Sequence, residues 1–391
     1  MQAIVLIIDS FGVGALPDAE NYDDKGANTA LHICEAIPFE KWPCLKSLGL
    51  GNCTNILGTV LPGCEPVSNP LASFGVMAEK SEGKDTTTGH WELAGINLEE
   101  PFHTFPPEFP SFPEKLLQDL QSRTGHRILG NKSASGTKII EELGPAHMEG
   151  KGIIVYTSAD SVLQIAAHEK IVSVKELYRI CNTAREICDR YNVGRVIARP
   201  FTGTKGNFIR TESRKDFSME PPGETILDHL KTNGVETVGI GKIGDIFAHQ
   251  GLDKSFHDKG NKACLDRTLA CMKQKKGNDQ FLFVNLVDTD MLFGHRRDIK
   301  GYCDAVQKID DSLVNVIDLM SDSDLLIITA DHGCDPGFKG TDHTREYVPL
   351  LVYKKKREVM NLKIRTSFCD VAQSLASFFN VPALRHGKSF I

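Results

Sequence analysis

Short β-branched apolar runs occur at Ala3–Ile8, Val235–Ile240, Phe281–Val287, Leu325–Ala330 and Val348–Tyr353. They alternate with stretches whose apolar positions recur at helical spacing. That alternation predicts an α/β fold, a mainly parallel sheet flanked by helices. Three of the runs end on an acid: Ile8 is followed by Asp9, Val287 by Asp288 and Ala330 by Asp331. Ligands of open α/β sheets bind beyond the carboxyl ends of the strands, so these acids are expected to converge on one rim.

The texture changes between about residues 100 and 221. The change opens on the proline-rich segment Pro101 to Pro107 and closes on Glu220-Pro221-Pro222-Gly223. Prolines end helices and stiffen connections, which suits boundaries. The intervening stretch carries its own strands, Ile153–Tyr156 and Val196–Ala198. It also carries a helix near Val174–Tyr191, started by Ser173 and Glu176 at capping-box spacing. A catalytic core of 1–99 and 222–391 is therefore expected, interrupted by a smaller α/β cap domain at 100–221 whose two crossings act as a hinge.

Composition narrows the function. The chain has 391 residues, 41% hydrophobic and 25% charged, with a formal net charge of -6. These are globular values, and the mild negative charge offers no reason to bind nucleic acid. The run from Lys354 to Arg357 reads as a solvated loop. The opening apolar run is too short for a signal or membrane segment, so a cytoplasmic protein without membrane contact is expected. The eleven cysteines are an odd number without a CxxC pair, which favours buried reduced thiols over a disulfide framework or zinc site.

The chemistry-bearing residues cluster. Asp331-His332-Gly333 at a strand end, followed by His343 on the next loop, can present oxygen and imidazole donors to a cation. Asp290 and His295, five apart on a loop, can close on a second ion, and Asp9 adds another carboxylate. Taken singly, each has a plainer reading: a hydrogen-bonded turn, solvated acids after a strand, a helix N-cap. Together, Asp and His donors without thiolates fit two divalent ions clamping a phosphoryl group. The nucleophile such a site needs is sought in Gly83 to Glu92. Three consecutive threonines there are either a strand, a helix cap or a hydroxyl activated by metal.

The segments Asp9 to Gly14, Gly83 to Glu92, Tyr156 to Ser161, Val193 to Phe201, Leu292 to Asp298 and Thr341 to Glu346 resemble the phosphopentomutases. That family belongs to the alkaline phosphatase superfamily and is related to the cofactor-independent phosphoglycerate mutases. The resemblance implies an alkaline-phosphatase-like core and a phosphoryl group carried on Thr86. It implies one Mn2+ held by Asp9, Asp331, His332 and the Thr86 oxygen, and a second held by Asp290, His295 and His343. Ser158, Asp160, Arg199, Arg210 and Lys242 would contact the sugar phosphate. Glucose 1,6-bisphosphate or a similar sugar bisphosphate would serve as activator, and a monomer is expected. Cys334 departs from the family pattern, where asparagine is expected. A phosphatase on the same core, a phosphoglycerate mutase with serine in place of Thr86, and a non-catalytic sugar-phosphate binder are the alternatives.

Overall fold

The computed structural model describes every residue except Ala159, Lys276 and Arg357. The Ala159 position of the 156–161 motif and the Arg357 end of the basic run thus lie outside the described residues. The chain divides into two compact units, one of Met1–Pro101 with Pro221–Ile391 and the other of Phe102–Glu220.

The first unit is built on an eight-stranded sheet. Across it lie Lys254–Phe256, Glu236–Ile240, Gln280–Leu286, Gln2–Ile8, Leu325–Thr329, Val348–Tyr353, Ser73–Met77 and Asn361–Arg365. All neighbours pair in parallel except at Val348–Tyr353, which runs antiparallel to both of its neighbours. The sheet is thus mainly parallel, as the alternating pattern predicts. The strand Gln2–Ile8 is buried along its whole length and lies between Gln280–Leu286 and Leu325–Thr329. Parallel strands covered on both faces need such unbroken apolar runs. Because these three central strands run the same way, Asp9, Asp288 and Asp331 all emerge at one edge of the sheet.

The second unit holds a six-stranded mixed sheet with Ile128–Ser133, Ile153–Thr157, Val162–His168, Arg195–Thr204 and Asn207–Arg210 in that order; Lys215–Ser218 also pairs with Arg195–Thr204. Alternation along Ile153–Thr157 sorts its two cores. Ile153 and Val155 pack with Leu116, Leu120, Leu177 and Ile180 of the helices Glu114–Thr124 and Val174–Cys188. Ile154 and Tyr156 pack with Ile139 and Ile140 of the helix Gly136–Met148. Side chains two apart on a strand share a face, so helices cover both sides.

Local expectations fare unevenly. The Ser173 hydroxyl caps the Glu176 amide at 3.2 Å, but the Glu176 carboxylate turns to Arg179 at 2.7 Å, so only half of that capping box forms. A reciprocal box appears instead at Thr225 and Asp228. All eleven cysteines are free, and all but Cys44 and Cys271 are fully buried. Among the described residues, no helix is long and apolar enough to cross a membrane.

Candidate metal centre

Two of the three Asp-bearing strand ends, those leading to Asp9 and Asp331, supply the first cluster, whereas the Asp288 carboxylate turns away to accept from the Asn261 amide at 2.8 Å. Ser10 follows Asp9 with φ of 66°, a left-handed conformation unusual for serine, and this turn points its amide at Asp331 Oδ1, 3.0 Å away. Asn285, in the adjacent strand, donates to Asp9 Oδ2 at 2.8 Å, while the Thr289 hydroxyl donates to the Asp9 carbonyl at 2.6 Å. His332 Nδ1 donates to the Gly333 carbonyl at 3.0 Å, which leaves Nε2 as a bare acceptor. That Nε2 lies 3.6 Å from Asp9 Oδ1, 3.3 Å from Asp331 Oδ2 and 3.2 Å from the Thr86 hydroxyl.

Thr86 opens the helix Thr86–Leu93, whose first amides at Thr87 and Thr88 are capped by Asp85. The three threonines are therefore helical, with β-branching outweighed by the cap. Gly89 lets this helix approach the site: a Cβ there would fall 2.1 Å from the Asp331 carbonyl. One turn after Thr86, the buried His90 Nδ1 donates to the Thr86 carbonyl at 2.9 Å and lies 3.1 Å from Asp331 Oδ2.

The second cluster forms differently from expectation. Asp290 is not on an open loop but in a π-helical turn, Thr289–Gly294, which His295 directly follows as its C-cap. The His295 amide donates to the Asp290 carbonyl at 3.3 Å, and this i to i+5 bond places two side chains five apart on one face. Asp290 Oδ1 lies 3.5 Å from His295 Nε2 and 3.3 Å from His343 Nε2. The other His295 nitrogen, Nδ1, donates to the Thr341 carbonyl at 2.7 Å. The two clusters adjoin, with the His332 and His343 rings 4.2 Å apart between centroids.

Donor spacings and orphaned atoms both suit cations. Ligands around one tetrahedral ion with bonds of about 2.0–2.2 Å lie roughly 3.3–3.6 Å apart, the spacing found in both clusters. Asp9 Oδ1, Asp331 Oδ2, Asp290 Oδ1 and His343 Nε2 are buried without a hydrogen-bond partner, a state that buried polar atoms rarely tolerate. Asp9, Asp331 and His332 group within 4.8 Å, as do Asp290, His332 and His343. The donor set is oxygen and imidazole, suited to manganese, zinc or similar ions. The residues present therefore fit two divalent cations.

Electrostatics point the same way. Burial, reinforced by the charges of Asp331 and Asp290, pushes the Asp9 carboxyl well above its usual range. At Asp290, burial acts upward, yet His343 and His295 outweigh it and hold the carboxyl well below its usual range. Burial lowers His343, but Asp290 outweighs it and raises that imidazole above its usual value of 6.5. The adjacent Asp290 carboxylate, 3.5 Å away, is the main cause that raises His295 to about 12. Without metal, His295 thus retains its proton at neutral pH, and a cation that takes its nitrogen must displace that proton. Calorimetry of manganese binding at pH 7 in buffers of different ionisation enthalpy is expected to show release of about one proton or more. A binding heat independent of buffer would contradict this.

Arg345 ties the segment Glu79 to Gly83, which leads to Thr86, to the His343 loop. Buried with Glu79 at 2.8 Å, it also donates to the carbonyls of Ser81 and Gly83 at 2.8 and 2.7 Å, and pairs with Asp18 at 3.0 Å. Arg345→Ala strands the buried Glu79 carboxylate and is expected to cost about 3–5 kcal/mol of stability, read by denaturant unfolding. A cost under about 1 kcal/mol would show that the network bears little of the load.

The other expected site residues are dispersed. Lys242 lies in the first unit, where its charge lowers the Asp9 carboxyl against the effect of burial. In the second unit, Arg199 and Arg210 line a 490 Å³ cavity together with Pro200, Thr211 and Arg214. Ser158 connects to this group through Gln164, which donates to Ser158 Oγ at 3.3 Å and accepts from Arg199 Nε at 3.0 Å. Asp160 instead pairs with Arg195 at 3.4 Å and is half exposed. Asn285, His90 and Arg214 are additions from the structure. Asn285 leaves a trace in the sequence, as a buried amide in an otherwise apolar strand.

Comparisons place the chain. Residues 1–383 match the model of the Metalloenzyme superfamily. The chain is 50% identical over 393 residues to the phosphopentomutase of Caldanaerobacter subterraneus subsp. tengcongensis, covering 100% of this chain and 97% of that one. It is 47% identical to the phosphopentomutase of Thermotoga maritima, with 100% and 98% covered. In fold it is similar to a phosphoglycerate mutase of Leishmania mexicana, with a TM-score of 0.50, 11% identity, and 99% and 96% covered. With end-to-end identity of this degree, the chain belongs to the phosphopentomutase family and is a metalloenzyme of the isomerase class.

Proposed function

We propose that the chain interconverts ribose 1-phosphate and ribose 5-phosphate, and the 2-deoxyribose pair, through a phosphothreonine at Thr86 and a pentose 1,5-bisphosphate. The observation that carries this reading is the placement of the Thr86 hydroxyl at the edge of a buried acid and imidazole cluster, 3.2 Å from His332 Nε2. Asp9, Asp331, His332 and Thr86 would hold one divalent ion, and Asp290, His295 and His343 the other. Such ions lower the pKa of a bound hydroxyl and neutralise phosphoryl oxygens. Manganese and a priming sugar bisphosphate such as glucose 1,6-bisphosphate are part of the proposal.

Phosphorylated Thr86 passes its group to the free hydroxyl of the sugar monophosphate. The bisphosphate reorients, and Thr86 takes back the phosphoryl from the other end, so the enzyme emerges as it began. The helix Thr86–Leu93, anchored by Asp85 and by the His90 bond to the Thr86 carbonyl, holds the hydroxyl in place for both transfers. The arginine cluster of the second unit is assigned to a phosphate of the sugar. Its planar guanidinium groups suit bidentate binding. Burial lowers the Arg199 pKa from its usual value, a cost that a bound anion would relieve.

Phosphorus NMR of the enzyme with ribose 5-phosphate, manganese and primer tests the proposal. A ribose 1-phosphate resonance is expected to grow to an equilibrium level. Inorganic phosphate accumulating without ribose 1-phosphate would show a hydrolase.

A further inference from the structure

Cys334 follows the Asp331-His332-Gly333 turn and is completely buried against the second cluster. Its Sγ lies 3.9 Å from His295 Nδ1 and 3.7 Å from the Asp342 carbonyl. Gly294 makes room for the sulfur, since a Cβ there would fall 2.8 Å from it. Asp290, His295 and Cys334 each offer a donor atom, all within 4.8 Å of one another. Asp290 Oδ1, itself buried and without a hydrogen-bond partner, lies 3.5 Å from His295 Nε2.

Resting on the two-ion reading, we propose that Cys334 gives the second cluster a sulfur donor, so that a thiophilic divalent cation such as zinc is held by Asp290, His295 and Cys334. Thiolate, imidazole and carboxylate together form a zinc-type donor set, with Zn–S about 2.3 Å and Zn–N about 2.0 Å. Coordination exchanges the thiol proton for the metal–sulfur bond and releases that proton to solvent. Such an ion takes Asp290 and His295 away from a manganese ion shared with His343. Zinc therefore competes with manganese at this cluster, and Cys334 sets the preference between them.

Cobalt titration of the metal-free full chain distinguishes the sulfur ligand from the two-ion centre. Visible d–d bands report cobalt in the centre, whereas a near-ultraviolet sulfur-to-cobalt band reports thiolate ligation. The wild type is expected to show both. Cys334→Asn is expected to keep the visible bands, lose the near-ultraviolet one and bind zinc about ten-fold more weakly or worse. Equal near-ultraviolet bands in the two proteins, or none in either, would overturn the sulfur ligand while leaving the two-ion reading intact. Absence of visible bands in both would overturn the two-ion reading and this proposal with it. Should Cys334→Asn fail to fold, X-ray absorption of the zinc-loaded wild type decides: a sulfur shell near about 2.3 Å supports the ligand, and a shell of nitrogen and oxygen only overturns it.

Discussion

Thr86→Ala is expected to lower kcat by on the order of 10⁴ to 10⁶, the scale seen when a covalent nucleophile is removed. Folding should survive the change, because alanine is a better helix former than threonine and Asp85 still caps Thr87 and Thr88. Metal binding should weaken by no more than about ten-fold, since Asp9, Asp331 and His332 remain on one side and Asp290, His295 and His343 on the other. The informative result is this separation, read by a coupled mutase assay beside manganese calorimetry. Thr86→Ser should keep measurable turnover, because it preserves the hydroxyl. If Thr86→Ala turned over within ten-fold of the wild type, the hydroxyl would be a bystander and the site would work by another route.

Removal of divalent cations should produce the second large effect, on stability as well as rate. Without a cation, Asp9 Oδ1, Asp331 Oδ2 and Asp290 Oδ1 are buried without a hydrogen-bond partner, and burial with mutual repulsion pushes Asp9 well above its usual range. Ions that bind only the folded chain stabilise it by about 4 kcal/mol at a thousand times Kd. That corresponds to roughly 5–15 °C in Tm for a domain of this size. Chelation is therefore expected to abolish turnover and to lower Tm by that amount, both reversed by added manganese. Thr86→Ala should show nearly the same thermal shift, because six of the seven proposed ligands remain. An unchanged Tm on chelation would mean that the two clusters do not hold ions.

What the sequence disclosed follows from how strongly each feature is imprinted on it. The central strands Gln2–Ile8, Gln280–Leu286 and Leu325–Thr329 were legible because strands buried on both faces are near-continuous apolar runs, interrupted here by Asn285. The acids terminating them were conspicuous for the same reason. Three strands of the same sheet were not legible, and one of them, Lys254–Phe256, is only three residues long. Asn361–Arg365 is an exposed edge strand with a register shift between Asn361 and Lys363, so it carries no apolar run. Ser73–Met77 is broken by Gly75, where a Cβ would fall 2.8 Å from the Lys363 carbonyl. The closeness of neighbouring backbone, not propensity, dictates that residue.

The candidate centre shows the same division. Spacing drew attention to Asp290 and His295, but a loop and a π-helical turn leave the same five-residue separation, and only the hydrogen bond between them distinguishes the two. His90 sat inside a conspicuous motif, yet beyond its one-turn bond to the Thr86 carbonyl its approach to Asp331 is tertiary and leaves no local mark. Arg214 joins Arg199 and Arg210 only because the strands of the second unit fold beside one another. Charges distant in sequence carry no signal of their future neighbours.

Between turnovers the phosphoryl group is expected to reside on one hydroxyl, that of Thr86. The most direct measurement is to incubate the manganese-loaded enzyme with radiolabelled glucose 1,6-bisphosphate, quench, and locate the label by peptide mass spectrometry. The account predicts a single labelled site at Thr86, discharged when ribose 5-phosphate is added. Label on any other residue, or sustained turnover with none on the protein, would contradict it.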